Sequence, residues 1–361
     1  MTTELDELID ERRTDIRTDK LDMTFGEFAS MYEREELIVA PAYQRLFRWQ
    51  EGQKGRFIES VLLGIPTPAI FVAETDKGVW ELVDGLQRLS TVLEFFGILK
   101  DAEGNKVPPS RLVADEGAAL PALDGLAYED LSLRSRLSIR RAGCRVEVVK
   151  VGSGKRMKYD LFERLNTGGV RLTDQEIRNC IFRAEAPDLM NYFDELAQGE
   201  EFASGLELSD LKMKSLYDRG LVLRFFALKN DLESFRHDVE PFITEYVHKI
   251  VEGNLPFEKE KEADVFVRTF KAVAKALGPG SWKHLKNNAP SGEFSVYVFE
   301  ALSVTVAKNI DQVERMAPAE LAERLNSIKI DGEFQKVVGS GGNTRPKLSK
   351  RLEIAAAKLT V

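Results

Sequence analysis

Cysteine is nearly absent from these 361 residues: Cys144 and Cys180 stand far apart, neither with a CxxC neighbour. That excludes a disulfide framework and a thiolate zinc site, and it leaves both thiols to pack in a core. Histidine is almost as scarce. His237, His248 and His284 show no HxxxH or HExxH spacing, which removes the usual zinc hydrolase patterns. No uninterrupted apolar run approaches the length of a membrane span, and the first thirty residues are densely charged where a signal peptide carries an apolar centre. A cytoplasmic protein without membrane contact is expected. Its chemistry has to run on carboxylates, arginines, backbone amides and a hard cation such as magnesium.

What is present is an ordinary globular composition, 43% hydrophobic and 30% charged, in a chain long enough for two cores. The net charge of -8 argues against a protein that coats nucleic acid indiscriminately. The charge is uneven, however. From Arg134 to Arg183 there are 13 basic residues against 5 acidic ones, a local excess of +8, while the first twenty-odd residues and the stretch from Asp231 to Glu262 are acid-rich. A basic face on an acidic protein is the expectation, and it includes the candidate DNA-facing residues Arg140, Arg141 and Lys155.

The pattern along the chain predicts an α+β protein in two domains, 1–185 and 186–361. The opening to about Met23 reads as a charged helix, and Thr24 is placed to cap a second one. Leu37-Ile38-Val39, ending at Pro41, reads as an edge strand. Apolar residues at Phe57, Val61 and Leu62 predict a helix that Gly64 and Pro66 stop. Ala69–Val72 and Val79–Val83 predict a hairpin around Thr75-Asp76-Lys77-Gly78, followed by a helix from Leu86. The stretch from Asp101 to Leu123 suits a surface loop with short strands, Arg145–Val149 another strand, and Arg156–Leu165 a helix. Thr173-Asp174-Gln175-Glu176 is a capping box, and after Pro187 the period is helical almost throughout, predicting a bundle. A glycine-rich break at Gly339–Asn343 precedes a last helix from Lys347.

The sharpest local signal is a strand running into Asp84-Gly85-Leu86-Gln87-Arg88 and then a helix. Glycine at such a turn lets backbone approach a ligand, and free amides at the helix start attract phosphate oxygens. Arg88 can add a guanidinium fork, and Asp84 can hold magnesium or orient a water. Taken by itself, the same segment is equally a turn with Asp84 as a cap and Arg88 as a solvated charge. Upstream, Tyr43-Gln44-Arg45-Leu46-Phe47-Arg48-Trp49 sets two arginines among three aromatics, which suits base stacking or plain core packing. Downstream, a helix predicted to end at Asn166 exits through Gly168-Gly169, and the capped helix after it carries Glu176, Arg178 and Asn179. Arg345, at the start of the last helix, could place a cation on a DNA phosphate or simply lie on a solvated face.

Taken together, these segments resemble the GmrSD restriction endonuclease N-terminal domain family over roughly residues 20 to 185. Its Tyr-Gln-Arg-x-x-x-Trp mark is here Tyr43, Gln44, Arg45 and Trp49; its Gly-Ile-Pro-x-Pro is Gly64-Ile65-Pro66-Thr67-Pro68. The Asp-Gly-Gln-Gln-Arg hallmark appears as Asp84-Gly85-Leu86-Gln87-Arg88. The last mark is Asn166, Gly168 or Gly169, Leu172, Glu176, Arg178 and Asn179.

The resemblance implies a ParB/sulfiredoxin-like α/β domain followed here by the helical bundle. It also implies a turn that binds a nucleoside triphosphate, hydrolysis with a divalent metal such as magnesium, and a sensing role in defence against phage. By that resemblance Asp84 and Arg88 are the hydrolysis pair. Tyr43, Gln44 and Arg45 are carried over as residues that line the same cleft or sense DNA. Gly85, Leu86, Gln87, Asn166 and Arg178 are further candidates for the nucleotide site, Asp84 and Glu176 for the metal, and Arg48 for DNA. One position departs from the hallmark. Leu86 stands where the family has glutamine, and a leucine offers only its backbone amide to an attacking water. Relatives often carry a His-Asn-His nuclease that the single His284 of this tail cannot form, so a separate nuclease or other effector is the expected partner, beside DNA. Two other readings stay open: a DNA-binding adaptor without turnover, and a nuclease acting through Asp84 and Glu176. A homo-oligomer is compatible with either.

Overall fold

The structure, a computed structural model, describes residues 5–7, 9, 17–39, 49–75, 77–101, 104–150, 173–339 and 342–360. The fold is α+β: a mixed five-stranded sheet with helices, followed by a helical region. By contacts the chain divides into one compact unit of Met1–Leu172 with Asn179–Ile181 and another of Thr173–Arg178 with Phe182–Val361.

In the first unit, strands β1 (Thr18–Thr24), β2 (Leu37–Ile38), β3 (Ile70–Glu74), β4 (Trp80–Asp84) and β5 (Gly143–Val149) lie in the order β1-β5-β3-β4-β2. β3 and β4 form the expected antiparallel hairpin, and β3 runs parallel to β5. The helices are α1 (Phe25–Glu33), α2 (Glu51–Leu62), α3 (Leu86–Phe95) and α4 (Leu133–Arg141). Their apolar stripes close over the sheet: Phe28, Ile58, Val72, Leu89, Val92, Leu93, Phe95 and Val146 are all fully buried in one cluster. Burying that surface is the main favourable term for such a layer, since each large side chain taken from water is worth roughly 1.5–3 kcal/mol.

The opening segment corrects the sequence reading. Thr18–Thr24 is a strand, not part of a helix, paired along its whole length with β5 from Thr18↔Val149 to Thr24↔Gly143. Only Met23 is buried along it, so the alternation is faint and the charged residues suggest a helix. Pairing decides the outcome, and the charges serve an edge strand: Lys20 meets Glu147 at 3.5 Å and Asp22 meets Arg145 at 3.4 Å across the ladder. Thr24 then caps α1 as expected, accepting from the Glu27 amide at 3.1 Å. Helix α4 was missed because Ile139 is its one buried residue. The predicted helix at Arg156–Leu165 lies outside the described residues.

The second unit holds α5 (Asp174–Glu185, shared with the first), α6 (Pro187–Gln198), α7 (Glu200–Ala203), α8 (Asp210–Lys214), α9 (Tyr217–Asn230), α10 (Val239–Val251) and α11 (Lys259–Leu277). A short hairpin, β6 (His284–Lys286) with β7 (Ala289–Ser291), interrupts the helices. Then come α12 (Val296–Lys308), α13 (Ile310–Val313), α14 (Pro318–Ile330), α15 (Gly332–Lys336) and α16 (Arg345–Thr360). Phenylalanines fill its centre: Phe202, Phe225, Phe226, Phe266, Phe270 and Phe299 meet edge-on, tilted or stacked, with ring centroids between 4.5 and 6.3 Å. Among the described residues, no helix is long and apolar enough to cross a membrane.

One buried charge on α14 has a measurable consequence. Lys329 is 1% exposed, and burial alone pulls its amine from the ordinary 10.5 down to about 8. The folded state therefore releases this proton more readily than the unfolded chain, so stability rises with pH between about 8 and 10.5. Lys329→Met should stabilise the protein at pH 7, on the order of 2–3 kcal/mol, with the gain gone above pH 10.5. Urea unfolding of both proteins at several pH values checks this; a variant no more stable at pH 7 than at pH 11, relative to wild type, contradicts it.

Candidate functional site

The hallmark segment folds as a strand-to-helix turn. β4 ends at Asp84, Gly85 turns in the left-handed region at φ 103°, and α3 starts at Leu86. Glycine is required twice over. A side chain in that conformation is strained, and a Cβ there would sit 3.0 Å from Ile70 Cγ1. As Gly85 has no side chain, no side chain caps the first turn of α3, and the Asp84 carboxylate accepts from the Gly85 amide at its start.

Arg88, one turn into α3, folds back over this bend. Its Nη2 donates to Asp84 Oδ2 at 2.9 Å and its Nη1 donates to the Pro68 carbonyl oxygen. Burial pushes the Asp84 carboxyl above its ordinary value, against the pull of Arg88 and of the Gly85 amide. Burial likewise lowers Arg88, against the stabilising charge of Asp84. The pair is thus a partly desolvated one, in which an incoming anion meets a guanidinium less screened than at a bare surface. Asp84 keeps its side chain 40% exposed and Arg88 only 13%.

Three of the sequence motifs meet at this turn. Pro68, the last residue of Gly64-Ile65-Pro66-Thr67-Pro68, supplies the carbonyl that holds Arg88. Trp49, the last residue of the aromatic motif, donates its amide to Gln87 Oε1 at 3.1 Å and packs edge-on against Phe57 at 5.6 Å. Lys54 of α2 reaches Glu94 of α3 at 2.8 Å in a buried ion pair, fixing the helix that carries Gln87 and Arg88. Residues 25–183 match the family model of the GmrSD restriction endonuclease, N-terminal domain. That segment belongs to this family. For that segment the match suggests an association with a restriction system. No curated protein and no solved structure matches the chain.

The other predicted residues are distributed as follows. Tyr43, Gln44, Arg45, Arg48, Lys155 and Asn166 lie outside the described residues. Leu86 is half-buried and packs against the first core, and Gln87 is bound to the Trp49 amide. Arg140 and Arg141 are exposed in the last turn of α4, with Arg140 5.7 Å from the centre of the Phe96 ring. Arg345 is exposed at the start of α16.

Glu176 is fully buried, and its Oε2 accepts from the Thr173 amide at 2.8 Å and hydroxyl at 3.1 Å, the capping box the sequence predicts. Arg178 is 1% exposed, with bonds to Gln175, Glu240 and Thr244. Among the described residues, no group of three His, Cys, Asp or Glu side chains is placed to hold a metal ion. A magnesium ion that keeps waters and phosphate oxygens as ligands needs only one or two carboxylates, and half-exposed Asp84 meets that requirement.

Cys144 is the neighbour sequence reasoning did not connect to this site. It is buried on β5, and burial pushes its thiol up to about 11 although Arg88 pulls the other way. It is therefore a protonated core thiol beneath the arginine.

Proposed function

We propose that the Asp84-Gly85-Leu86-Gln87-Arg88 turn binds the phosphates of a nucleoside triphosphate and supports its hydrolysis. On this reading the domain has a ParB/sulfiredoxin-like fold and acts as the sensor or regulatory part of a phage-defence or modification-dependent restriction system. It contacts DNA and works with a separate effector. One observation carries the reading: an uncapped helix start behind a left-handed glycine, with a guanidinium folded over it and held by Asp84 and Pro68.

In this site Arg88 binds and orients the phosphates, the amides of the first turn of α3 hold their oxygens, and Asp84 fixes Arg88. Magnesium, arriving with the phosphates and held by Asp84, would supply neutralising charge there. The test is magnesium-dependent release of phosphate from each of four nucleoside triphosphates, with and without DNA. Asp84→Ala should lower release by about a hundredfold, because it frees Arg88 from its orienting bond and removes the carboxylate. A purified protein that binds no nucleotide sinks the proposal.

A second reading has its own support, in Leu86. That side chain packs on the core where the hallmark has a glutamine, so nucleotide binding without turnover, in a DNA-binding adaptor, is the alternative. It predicts bound nucleotide, no released phosphate, and a shallower salt dependence of DNA binding in Arg141→Ala.

A further inference from the structure

A cavity of about 200 Å3 opens in the second unit, between the first turns of α5 and the helices α9 and α10. Its wall contains Gln175, Arg178, Tyr217, Leu221, Arg224 and Glu240. Three of its polar groups keep donor capacity that no described residue takes up. Gln175 is 5% exposed, its Oε1 accepts from Arg178 Nε at 3.0 Å, and its Nε2 has no hydrogen-bond partner among the described residues. Arg224 is 7% exposed and makes one hydrogen bond, a long one of 3.3 Å to Glu240 Oε1, with a guanidinium that can donate five. The Tyr217 hydroxyl lies on the same wall, and burial raises its ionisation above the ordinary value, so it too is a donor.

Buried donors left unmatched cost roughly 1–3 kcal/mol each, which is why they are rare unless something accepts from them. We propose that this cavity binds a small organic monocarboxylate, whose oxygens accept from Gln175 Nε2, the Tyr217 hydroxyl and Arg224.

Charge selects a single negative group over a double one. Arg178 and Arg224 line the cavity, and Arg224 also reaches Glu300 at 3.6 Å, which in turn pairs with Arg351. Among the groups that line the cavity itself, Arg178 and Arg224 stand against Glu240 and Asp174, so there is no surplus of positive charge to hold a second negative one. Burial works against the Glu240 carboxyl ionising, yet Arg178 and Arg224 outweigh it and hold that carboxyl below its ordinary value. Asp174, also on the wall, is raised by burial and by Glu240. These two acids repel a phosphate dianion more strongly than a carboxylate, while Leu221 and the Tyr217 ring offer an apolar side to an organic body.

The test uses the full chain, with calorimetric titration of acetate, benzoate and inorganic phosphate at matched ionic strength. Saturable binding of benzoate is expected, with acetate weaker and phosphate weakest. Tyr217→Phe, which removes one hydroxyl, and Gln175→Leu should each weaken it on the order of tenfold. Arg88→Ala should leave it unchanged, which separates this cavity from the nucleotide turn. Absence of saturable binding, equal binding by Tyr217→Phe and Gln175→Leu, or a preference for phosphate overturns the proposal.

Discussion

Arg351→Met is expected to cost about 3–5 kcal/mol of stability, the largest loss from any single substitution of a charged residue considered in this chain. Arg351 and Glu300 are both wholly buried, with Nη2 2.7 Å from Oε2. The guanidinium also donates to the Val337 carbonyl at 2.9 Å and to the Gly342 carbonyl at 2.5 Å, and it lies 4.7 Å from the centre of the Tyr297 ring. Methionine fills much of the volume of the side chain but satisfies none of these acceptors. It leaves Glu300 with Arg224 at 3.6 Å as its remaining ion-pair partner. The loss comes from stranding a carboxylate in a core, so a second change, Glu300→Leu, should restore part of it. Urea midpoints for the two singles and the double measure the coupling. A single variant within about 1 kcal/mol of wild type would show that the pair is not the lock between α12 and α16 that its geometry implies.

That pair also marks the limit of what sequence can disclose. Glu300 sits in an apolar run and Arg351 among the charges of a terminal helix, 51 residues apart, and no local period connects them. Burial of a charge is a tertiary decision. The same holds for β1, whose charges read as a helix until β5 is laid beside it. By contrast the hairpin of β3 and β4, the Thr173 cap and the helix from Leu86 are each dictated by residues within a few positions of one another. They were legible for that reason.

The candidate site divides in the same way. Asp84, Gly85 and Arg88 could be placed together from their spacing alone, because a strand, one left-handed residue and one helical turn fix their distances. That Pro68 would hold Arg88, or that Trp49 would hold Gln87, could not be read off, since 20 and 38 residues separate the partners. Arg178 shows a different limit. As a motif residue it is a candidate for the nucleotide site, and its guanidinium is bound to Glu240, Gln175 and Thr244, partners its own spacing does not disclose. A motif records that a residue matters without saying whether it touches ligand or only holds the fold.

Leu86→Gln is expected to raise phosphate release by about tenfold or more, at a stability cost of about 1 kcal/mol. The cost follows from packing: Leu86 is half-buried against the first core, and glutamine carries an amide into that contact. The gain follows from position. Residue 86 opens α3 directly beside Gly85, so an amide side chain there can reach a water next to a phosphate held by the helix amides and Arg88. Arg88→Ala should weaken nucleotide binding on the order of a hundredfold in either background, because it removes the cation that Asp84 and Pro68 hold in place at the turn. The two substitutions separate binding from turnover. If glutamine leaves release unchanged while nucleotide still binds and Arg88→Ala still abolishes that binding, the turn is a nucleotide clamp without hydrolysis, and the adaptor reading takes the place of the hydrolase.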